Sequence, residues 1–301
     1  RLLTRDTLAP LLADGVVPVV TGFMGATEDG AITTLGRGGS DYSAAIVAVA
    51  IDADEVWICT DVDGVMTTDP RIAGNARTLS TIAYREIAEL ASAGAKVVHP
   101  KAISPIMERG IRMWIHNTFN PDGPATRVLA NAETSNGGAK AVTVVKAHSL
   151  LALEGRGMLG VQGIAARTFA VAARTNASVT LIAQASSEQS ICFAVPQAYK
   201  QSVVAELERE FRHEFEWKHI DHVRSQDDIV IVTVVGAGMR ETPGIAGEVF
   251  SALGDRGLNV VAIAQGSSEC SISLVVAAAD ADDSVRAIHE LIISRRLEEA
   301  G

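Results

Sequence analysis

The sequence predicts an α/β domain followed by a repeated α+β unit of the ferredoxin-like type, and three observations lead to this fold class. The composition is 48% hydrophobic but only 4% aromatic, which favours sheets covered by helices over all-β sandwiches rich in Tyr and Trp. Strand and helix patterns alternate over residues 1–132, and the second half contains an internal repeat. The 301 residues are enough for two or more domains.

In residues 1–132, stretches with helical periodicity alternate with short apolar runs that are typical of strands. The predicted helices are Leu2–Asp14, Ser40–Ile51 and Thr81–Ala93, and the predicted strands are Val16–Thr21, Glu55–Thr60 and Gly110–Asn117. This alternation indicates an α/β sheet covered by helices. Residues 121–124 (PDGP) break the pattern and residues 131–138 are polar, so we expect a first domain that spans residues 1–132.

The repeat in the second half appears when the chain is shifted along itself so that Gly155 lies on Gly236. Gly155–Ile191 then aligns with Gly236–Ile272 without a gap, and 16 of the 37 positions are identical. The elements predicted for the first copy are Leu150–Glu154, Ile164–Arg174, Ser178–Gln184, Ser190–Val195 and Gln197–Glu214. This order predicts a split ferredoxin-like unit, with domains at 139–217 and 227–301. The last strand of the second copy has no clear candidate after Arg295.

A glycine pattern in the first copy resembles a dinucleotide-binding fingerprint. Gly155–Gly160 reads GRGMLG, after a predicted strand and before a predicted helix. Its counterpart, Gly236–Glu241, has glutamate in place of the third glycine, and Gln184 stands where the acidic residue of the fingerprint is expected. We therefore interpret both loops as structural turns, with a nicotinamide-dependent enzyme as the less favoured alternative.

Charge and cysteine usage exclude several classes of partner. The net charge is −10 without a basic tract, which argues against nucleic acid and anionic membranes as partners. The cysteines at 59, 192 and 270 lie far apart in apolar runs, which predicts buried thiols in a reducing cytoplasm and no metal site. The sequence shows no signal peptide and no membrane span. It begins within a helix-like segment without Met, so we expect it to be part of a longer polypeptide.

The first candidate site is the glycine-rich loop Gly36–Ser43, which leads into a predicted helix. The N-terminus of a helix presents backbone N–H groups and a partial positive charge to an anion. Arg37 stands between glycines, where its guanidinium can bind a carboxylate through two parallel hydrogen bonds. Ser40 and Asp41 are also ordinary N-cap residues, and capping is the favoured interpretation for Ser40.

Two further loops carry polar side chains. Cys59–Arg71 follows a predicted strand and contains three aspartates, which suit either simple turns or Mg²⁺ accompanying a nucleotide. Gly94–Lys101 contains Lys96, which is either a phosphate ligand or a solvated lysine at a helix C-terminus. His99 precedes a proline and has no nucleophilic partner nearby in the sequence, so we expect it to be structural.

Taken together, these segments closely resemble the aspartokinases of the amino-acid kinase superfamily. The resemblance rests on Thr34–Ser43 (TLGRGGSDYS), Thr60–Gly64 (TDVDG), Thr68–Arg71 (TDPR) and Gly94–Pro100 (GAKVVHP). The tandem repeat resembles the paired ACT domains that follow the kinase domain in that family. The resemblance implies the carboxyl-terminal part of an amino-acid kinase α/β sandwich followed by two ACT domains.

The family also implies a reaction and site residues. Aspartokinases phosphorylate the side-chain carboxylate of L-aspartate with ATP and Mg²⁺, giving 4-phospho-L-aspartate, the first step toward lysine, threonine and methionine. The implied substrate contacts are Arg37, Ser40 and Asp41; the ATP contacts are Thr60, Asp61, Met66, Arg71, Lys96 and Val97; the effector contacts are Gln184, Gln265 and Asn259. The two glutamines match the threonine-sensitive bifunctional branch, and the implied partners are threonine or lysine and a second copy bound through the ACT domains.

Two features depart from the family pattern. Many members carry Tyr at the position of Met66, and the Lys-Phe-Gly-Gly segment that opens the family's kinase domain has no match in this sequence. That segment supplies a lysine to the transferred phosphate. A non-catalytic chain that binds a regulatory amino acid is therefore the alternative to an active kinase.

Overall fold

The computed structural model describes residues 2–36, 38–95, 97–130, 138–184, 187, 189–266 and 270–299, with backbone alone for residues 2, 3, 240, 241 and 293–299. The chain divides into two compact units. The first contains residues 1–143, 235–245 and 292–301, and the second contains residues 144–234 and 246–291. None of the helices in the described part of the chain combines the length and apolar character that a membrane span requires.

The first unit is built on a four-stranded sheet with strand order β3-β5-β6-β4 and a separate two-stranded hairpin of β1 and β2. Its elements are α1 (Leu2–Ala13), β1 (Met24–Ala26), β2 (Ile32–Thr34), α2 (Gly39–Ala50), β3 (Glu55–Thr60), β4 (Thr81–Ala83), α3 (Tyr84–Ser92), α4 (Pro100–Arg109), β5 (Arg112–Asn117) and β6 (Thr126–Leu129). Strands β3 and β5 are parallel, so both end at the same edge of the sheet, with Thr60 opposite Asn117.

One face of this sheet packs against the helices and the other is open. Val56, Ile58 and Met113 point into a core that α2, α3 and α4 complete. On the opposite face, Trp57 is 55% exposed and stacks on His116 with ring centroids 4.4 Å apart. Cys59 lies on this open face and is exposed, so the prediction that all three cysteines are buried was wrong for this one.

One predicted element of the first unit was wrong, and a second was wrong only at its beginning. Val16–Thr21 forms no strand: Val17 and Val19 are 86% and 97% exposed, and no strand in the described residues pairs with them. The predicted helix Thr81–Ala93 begins only at Tyr84, because residues 81–83 pair with β6 as strand β4. An apolar run predicts a strand only when a neighbouring strand completes its hydrogen bonds.

Helix α4 was not predicted, although its ends carry ordinary signals. It begins at Pro100, after His99 as the N-cap residue, and it ends before Gly110, whose φ is 64°. Proline suits the first helical position because its missing N–H would be unpaired there, and glycine suits the left-handed conformation that ends a helix. The other predicted helices and strands of this unit match α1, α2, β3 and β5 within two residues.

The second half is organised around one six-stranded sheet of order β11-β12-β10-β7-β9-β8. Its elements are β7 (Ala141–Glu154), α5 (Ile164–Arg174), β8 (Leu181–Gln184), β9 (Ser190–Pro196), α6 (Lys200–Glu210), α7 (Arg212–Glu216), β10 (His222–Val235), α8 (Ile245–Gly254), β11 (Ala262–Gln265), β12 (Ser271–Ala277) and α9 (Ala281–Glu299). Strands β7, β8 and β9 begin and end at positions equivalent to those of β10, β11 and β12, which confirms the two ferredoxin-like copies.

Strands β7 and β10 are shared between the two copies. The Asp221 N–H donates to the Glu154 carbonyl at one end, and the Lys140 N–H donates to the Val235 carbonyl at the other, so the strands run antiparallel. Each has 14 residues, and its first half completes the sheet of the other copy. The last strand of the second copy is therefore the beginning of β7, which lies ahead of that copy in the chain.

Among its described residues, the second unit contains apolar cores in two places. One fills the first copy between its sheet and helices α5 and α6, around Leu151, Phe193 and Phe211. The other joins strands of both copies through Leu150, Leu181 and related side chains, namely Ala194, Ile229, Ile231 and Val275. The edge strands β8 and β11 approach each other, so the sheet curves around this second core. Cys270 is buried and Cys192 is half-buried.

In the first unit, the hydroxyl of Thr126 on β6 holds both ends of the segment that follows β3. Thr126 Oγ1 accepts a hydrogen bond from the Val65 N–H at 2.8 Å and donates one to the Leu79 carbonyl at 2.6 Å. Thr126 is fully buried, so neither backbone group has water as a substitute partner. Gly64 has a φ of 90°, and a Cβ there would lie 2.4 Å from this hydroxyl.

We expect Thr126→Val to lower the free energy of unfolding by about 2 to 4 kcal/mol, because it leaves two buried backbone groups unpaired at nearly constant volume. Thr126→Ser keeps the hydroxyl and is the matched control, with a loss of about 1 kcal/mol for the missing methyl group. Urea unfolding followed by tryptophan fluorescence measures both. Equal stability of the Val and Ser variants would contradict the proposed role of the hydroxyl.

Candidate functional site

The glycine loop leads directly into helix α2, but neither Ser40 nor Asp41 caps the helix. The N-cap residue is Gly38, with a φ of 71°, and Ser40 lies exposed in the first turn. The capping role favoured for Ser40 was therefore wrong. Gly38 cannot be replaced without movement, because a Cβ there would lie 2.2 Å from the imidazole ring of His99. The glycine thus permits both the left-handed turn and the close approach of His99.

The structure brings the glycine loop and the segment before α4 together. Asp41 Oδ2 accepts a hydrogen bond from the His99 backbone N–H at 3.1 Å. His99 Nδ1 accepts the Lys101 N–H at 3.3 Å and so caps α4, which is the structural role predicted for this histidine. As a result, the N-termini of α2 and α4 meet at one place. Two helix N-termini combine their partial positive charges and unpaired N–H groups, which favours binding of an anion.

The other side of the glycine loop is fixed by the hairpin. The buried hydroxyl of Ser43 accepts the Phe23 N–H at 3.1 Å and donates to the Gly39 carbonyl at 2.8 Å. Gly22 passes so close to α2 that a Cβ there would lie 3.2 Å from the Cα of Ser40. The chain before β1 therefore lies against the first turn of the helix, next to an exposed serine hydroxyl.

The loop after β3 lies at the carboxyl end of the parallel strands β3 and β5, where ligands bind in α/β sheets. Asp61 is exposed, and its carboxylate accepts the Thr60 hydroxyl at 3.1 Å. Asp63 instead accepts the side-chain amide of Asn117 on the neighbouring strand at 2.7 Å, and that of Asn120 at 3.3 Å. Asp63 therefore joins the two strand ends, which leaves Asp61 as the more open carboxylate of this pair.

Three further predicted nucleotide contacts lie in described parts of the chain. Arg71 is exposed and donates from Nε and Nη2 to Asp69 at 2.9 and 2.6 Å; these hydrogen bonds raise the pKa of Arg71. Met66 is half-buried and pairs with Thr78 in an isolated β-bridge. Val97 packs partly buried on the core of the first unit. Arg37 and Lys96 lie outside the described residues.

The described residues contain no group of three or more His, Cys, Asp and Glu side chains placed to hold a metal ion. Of the aspartates that suggested Mg²⁺, Asp63 is bonded to amides and Asp69 to Arg71, while Asp61 is exposed beside a hydroxyl. A single open carboxylate fits an ion that is held mainly by substrate phosphates, which is the usual mode for Mg²⁺ in kinases.

The first repeat copy contains a cavity of about 380 Å³ that Gln184 lines. The other lining residues are Met158, Gly160, Val161, Gln162, Gly163, Ile164, Ala165 and Ile191. Gln184 is the last residue of β8 and is exposed, and several of the residues that line the cavity with it are apolar. In the second copy, Gln265 ends β11 in the same way, and Asn259 is exposed in the preceding loop.

The glycine patterns beside these sites have packing reasons. A Cβ at Gly155 would lie 2.2 Å from the His219 carbonyl oxygen, and one at Gly236 would lie 2.3 Å from the Gly138 carbonyl oxygen. His219 and Gly138 also occupy equivalent positions of the repeat. The equivalent contacts in both copies support the interpretation of the two loops as structural turns.

The sequence analysis missed one buried polar centre. Glu86 on α3 is fully buried and accepts hydrogen bonds from Ala83 N–H, Lys140 Nζ and Ala237 N–H. A glutamate at the third position of a helix is a recognisable capping signal, so its contact with Ala83 was within reach of sequence analysis. The other two donors were not, because they lie 54 and 151 residues away.

Comparison with known proteins identifies the two halves separately. Residues 1–117 match the amino acid kinase family, and residues 151–211 and 232–291 match the ACT domain. The bifunctional aspartokinase/homoserine dehydrogenase of Haemophilus influenzae is 40% identical over 293 residues, which are 97% of this chain and 36% of that protein. The chain thus spans only about a third of such bifunctional relatives.

Aspartokinases without the second enzyme are also similar. The aspartokinase of Thermus thermophilus is 34% identical over 287 residues, which are 93% of this chain and 68% of that protein. Among solved structures, E. coli aspartokinase III with aspartate and ADP has a TM-score of 0.79 at 32% identity, covering 96% of this chain and 63% of that chain. The same enzyme with lysine and aspartate has a TM-score of 0.76 at equal identity and coverage. The chain therefore belongs to the aspartokinase family and contains part of an amino-acid kinase domain followed by two ACT domains.

Proposed function

We propose that this chain is the carboxyl-terminal part of an aspartate kinase that transfers the terminal phosphoryl group of ATP to the side-chain carboxylate of L-aspartate. The observation that carries the proposal is the meeting of the N-termini of α2 and α4 through Asp41 and His99. Both the acceptor and the donor of this reaction are anions, and phosphoryl transfer depends mainly on positioning and charge neutralisation. The kinase part would extend to residue 132, with ACT domains at 139–217 and 227–301.

In this proposal, the residues around the α2 N-terminus bind aspartate. Arg37 grips a carboxylate of the substrate, Ser40 donates its exposed hydroxyl, and Asp41 fixes the geometry by holding the His99 N–H. The acceptor is thereby oriented at the positive end of the helix. This arrangement lowers the cost of bringing two anions together.

The donor would lie on the loop after β3 and on the segment before α4. Thr60 ends β3, the loop contains Asp61, Met66 and Arg71, and the second segment contains Lys96 and Val97. Mg²⁺ bound with the nucleotide would supply charge neutralisation on the phosphates, and Asp61 is the residue that would hold it. Arg71, kept charged beside Asp69, adds a further cation near the phosphates.

The ACT domains would regulate the kinase by binding an amino acid. The cavity beside Gln184 combines side-chain amides with an apolar floor, which suits a ligand that is polar at its backbone groups and short in its side chain. Threonine and lysine are the two candidates, and Gln265 and Asn259 would serve the second copy. We further propose that the chain forms a homodimer through the ACT domains, because the exposed Ile182 and Ile263 occupy equivalent positions on the edge strands β8 and β11. We also propose that this homodimer is cytoplasmic.

A second candidate function is a non-catalytic chain that only binds the regulatory amino acid. The cavity beside Gln184 favours it, because residues of the first repeat copy alone form that site. An aspartyl-hydroxamate assay with ATP on this chain distinguishes the two candidates. Turnover would eliminate the purely regulatory function.

Replacing Arg37 by Ala is expected to lower aspartate-dependent ADP release by about 100-fold in the active enzyme, because the acceptor loses its bidentate partner. The matched control is Arg109→Ala, which removes an exposed arginine at the opposite end of α4. Steady-state kinetics with varied aspartate measure both variants. Normal turnover and a normal KM for aspartate in Arg37→Ala would refute the assignment of this loop.

Replacing Gln184 by Ala is expected to weaken binding of the effector amino acid by about tenfold or more, because the mouth of the cavity loses the amide that β8 supplies. Isothermal titration calorimetry with threonine, and separately with lysine, measures this loss. Gln197→Ala, which changes an exposed glutamine after β9, is the control. If Gln184→Ala binds the amino acid as tightly as the unchanged chain, this cavity is not the effector site.

A further inference from the structure

The buried carboxylate of Glu86 connects helix α3 with the second copy of the repeat. Glu86 Oε2 accepts the Ala83 N–H at 2.7 Å and Lys140 Nζ at 2.9 Å, while Oε1 accepts the Ala237 N–H at 2.7 Å. All four residues belong to the first compact unit. A carboxylate with 0% exposure is stable only when its charge is paired and its oxygens are hydrogen-bonded, so each of these donors is needed.

The repeat itself shows that this contact is special. In the first copy, the equivalent N–H belongs to Arg156, and it donates at 3.3 Å to Asp221 of the same copy. The position equivalent to Asp221 in the second copy is Lys140, which offers no acceptor. The loop of the second copy therefore finds its acceptor on helix α3, and Lys140 neutralises that acceptor.

The start of this loop has little freedom to move away from Glu86. A Cβ at Gly236 would lie 2.3 Å from the Gly138 carbonyl oxygen, so the backbones are in close contact. Val235 is fully buried in the same core as Tyr84 and Ile87 of α3. If the Ala237 N–H changes direction, the side chain of Glu86 or helix α3 must therefore move to keep the hydrogen bond.

Helix α3 leads into the segment that we assign to the nucleotide. It ends at Ser92, and the Ala95 N–H donates to the Leu90 carbonyl at 2.9 Å, which ties the following turn to the last turn of the helix. The turn at residues 94–95 therefore follows any shift of α3. The loop at residues 236–241 of the second copy is connected to the same helix through the hydrogen bond between Ala237 and Glu86.

We propose that Glu86 is a positioning residue through which the loop at residues 236–241 controls α3 and the turn at residues 94–95. The proposal rests on the proposed function, in which an amino acid binds beside this loop and the nucleotide binds directly after this turn. An effector that redirects the Ala237 N–H weakens one of the three hydrogen bonds to Glu86. Helix α3 then has a different lowest-energy position. Only the second copy exerts this control, because the equivalent N–H of the first copy donates to Asp221.

The first test removes the N–H donor without touching the carboxylate. Ala237→Pro deletes the donor at the first position of a short 3-10 helix, where proline is tolerated, and Gly236 before it has a ψ of 125° that suits a following proline. Arg156→Pro is the matched control in the first copy. Amide hydrogen exchange over residues 84–97, followed by mass spectrometry, reports the opening of α3.

We expect exchange in α3 to accelerate about tenfold or more in Ala237→Pro and to remain unchanged in Arg156→Pro, since a hydrogen bond to a buried charge is lost only in the former. In a background of Glu86→Leu with Lys140→Met, which removes the acceptor and its neutralising cation together, Ala237→Pro should add less than about twofold. Unchanged α3 exchange in Ala237→Pro, or an equal acceleration in both backgrounds, would overturn the proposal.

The second test uses threonine, and separately lysine, on the unchanged chain and on the neutral double variant. We expect the amino acid that binds by calorimetry to change α3 exchange severalfold in the unchanged chain and less than about twofold in the double variant. Heat of binding without any change in α3 exchange would overturn the coupling. No heat with either amino acid would refute the proposed amino-acid regulation, and the proline variants would then decide the role of Glu86 by themselves.

Discussion

The antiparallel pairing of β7 with β10 is the constraint on which the half with the two ACT domains depends. Because each strand supplies its first half to one copy and its second half to the other, neither copy completes its own sheet. Two non-glycine residues with left-handed backbone, Ala147 and Asp228, mark the change of copy in each strand. Folding of one copy therefore requires the other, and the two glycine loops are placed at equivalent ends of the paired strands.

The same pairing explains where the candidate ligand sites lie. Each long strand is followed by a glycine that lies against the backbone just before the partner strand, Gly155 on His219 and Gly236 on Gly138. The chain must then turn into a helix over the sheet, and in the first copy this turn leaves the cavity that Gln184 lines. In the first unit, parallel pairing of β3 and β5 has a comparable effect, since it brings the polar loop after Thr60 beside Asn117.

Local signals predicted most of the elements but few of the contacts that position them. Each helix and strand of the repeat depends mainly on nearby residues. The elements of the first copy, moved by the constant offset from Gly155 to Gly236, therefore predicted those of the second copy. A strand depends on a distant partner strand, which local patterns do not reveal. Residues 16–21 lack such a partner among the described residues, so the predicted strand does not form. Residues 81–83 find one in β6, so the predicted helix begins three residues later. The ligand-binding role of the three polar loops stays a prediction. The pairing of Asp41 with His99 spans 58 residues and had no local signal.

The Glu86 contact was hidden for a different reason. Its signal lies in a difference between the copies, Asp221 against Lys140, and this position falls before each aligned stretch of the repeat. Duplication first produces two equivalent loops, each of which needs an acceptor for the same backbone N–H. Where one copy keeps an aspartate and the other has a lysine, the acceptor must come from elsewhere, and here it comes from a helix of the kinase part. Positions at which a repeat loses its own hydrogen-bond acceptor are therefore the places to search for contacts between a repeat and another part of the chain.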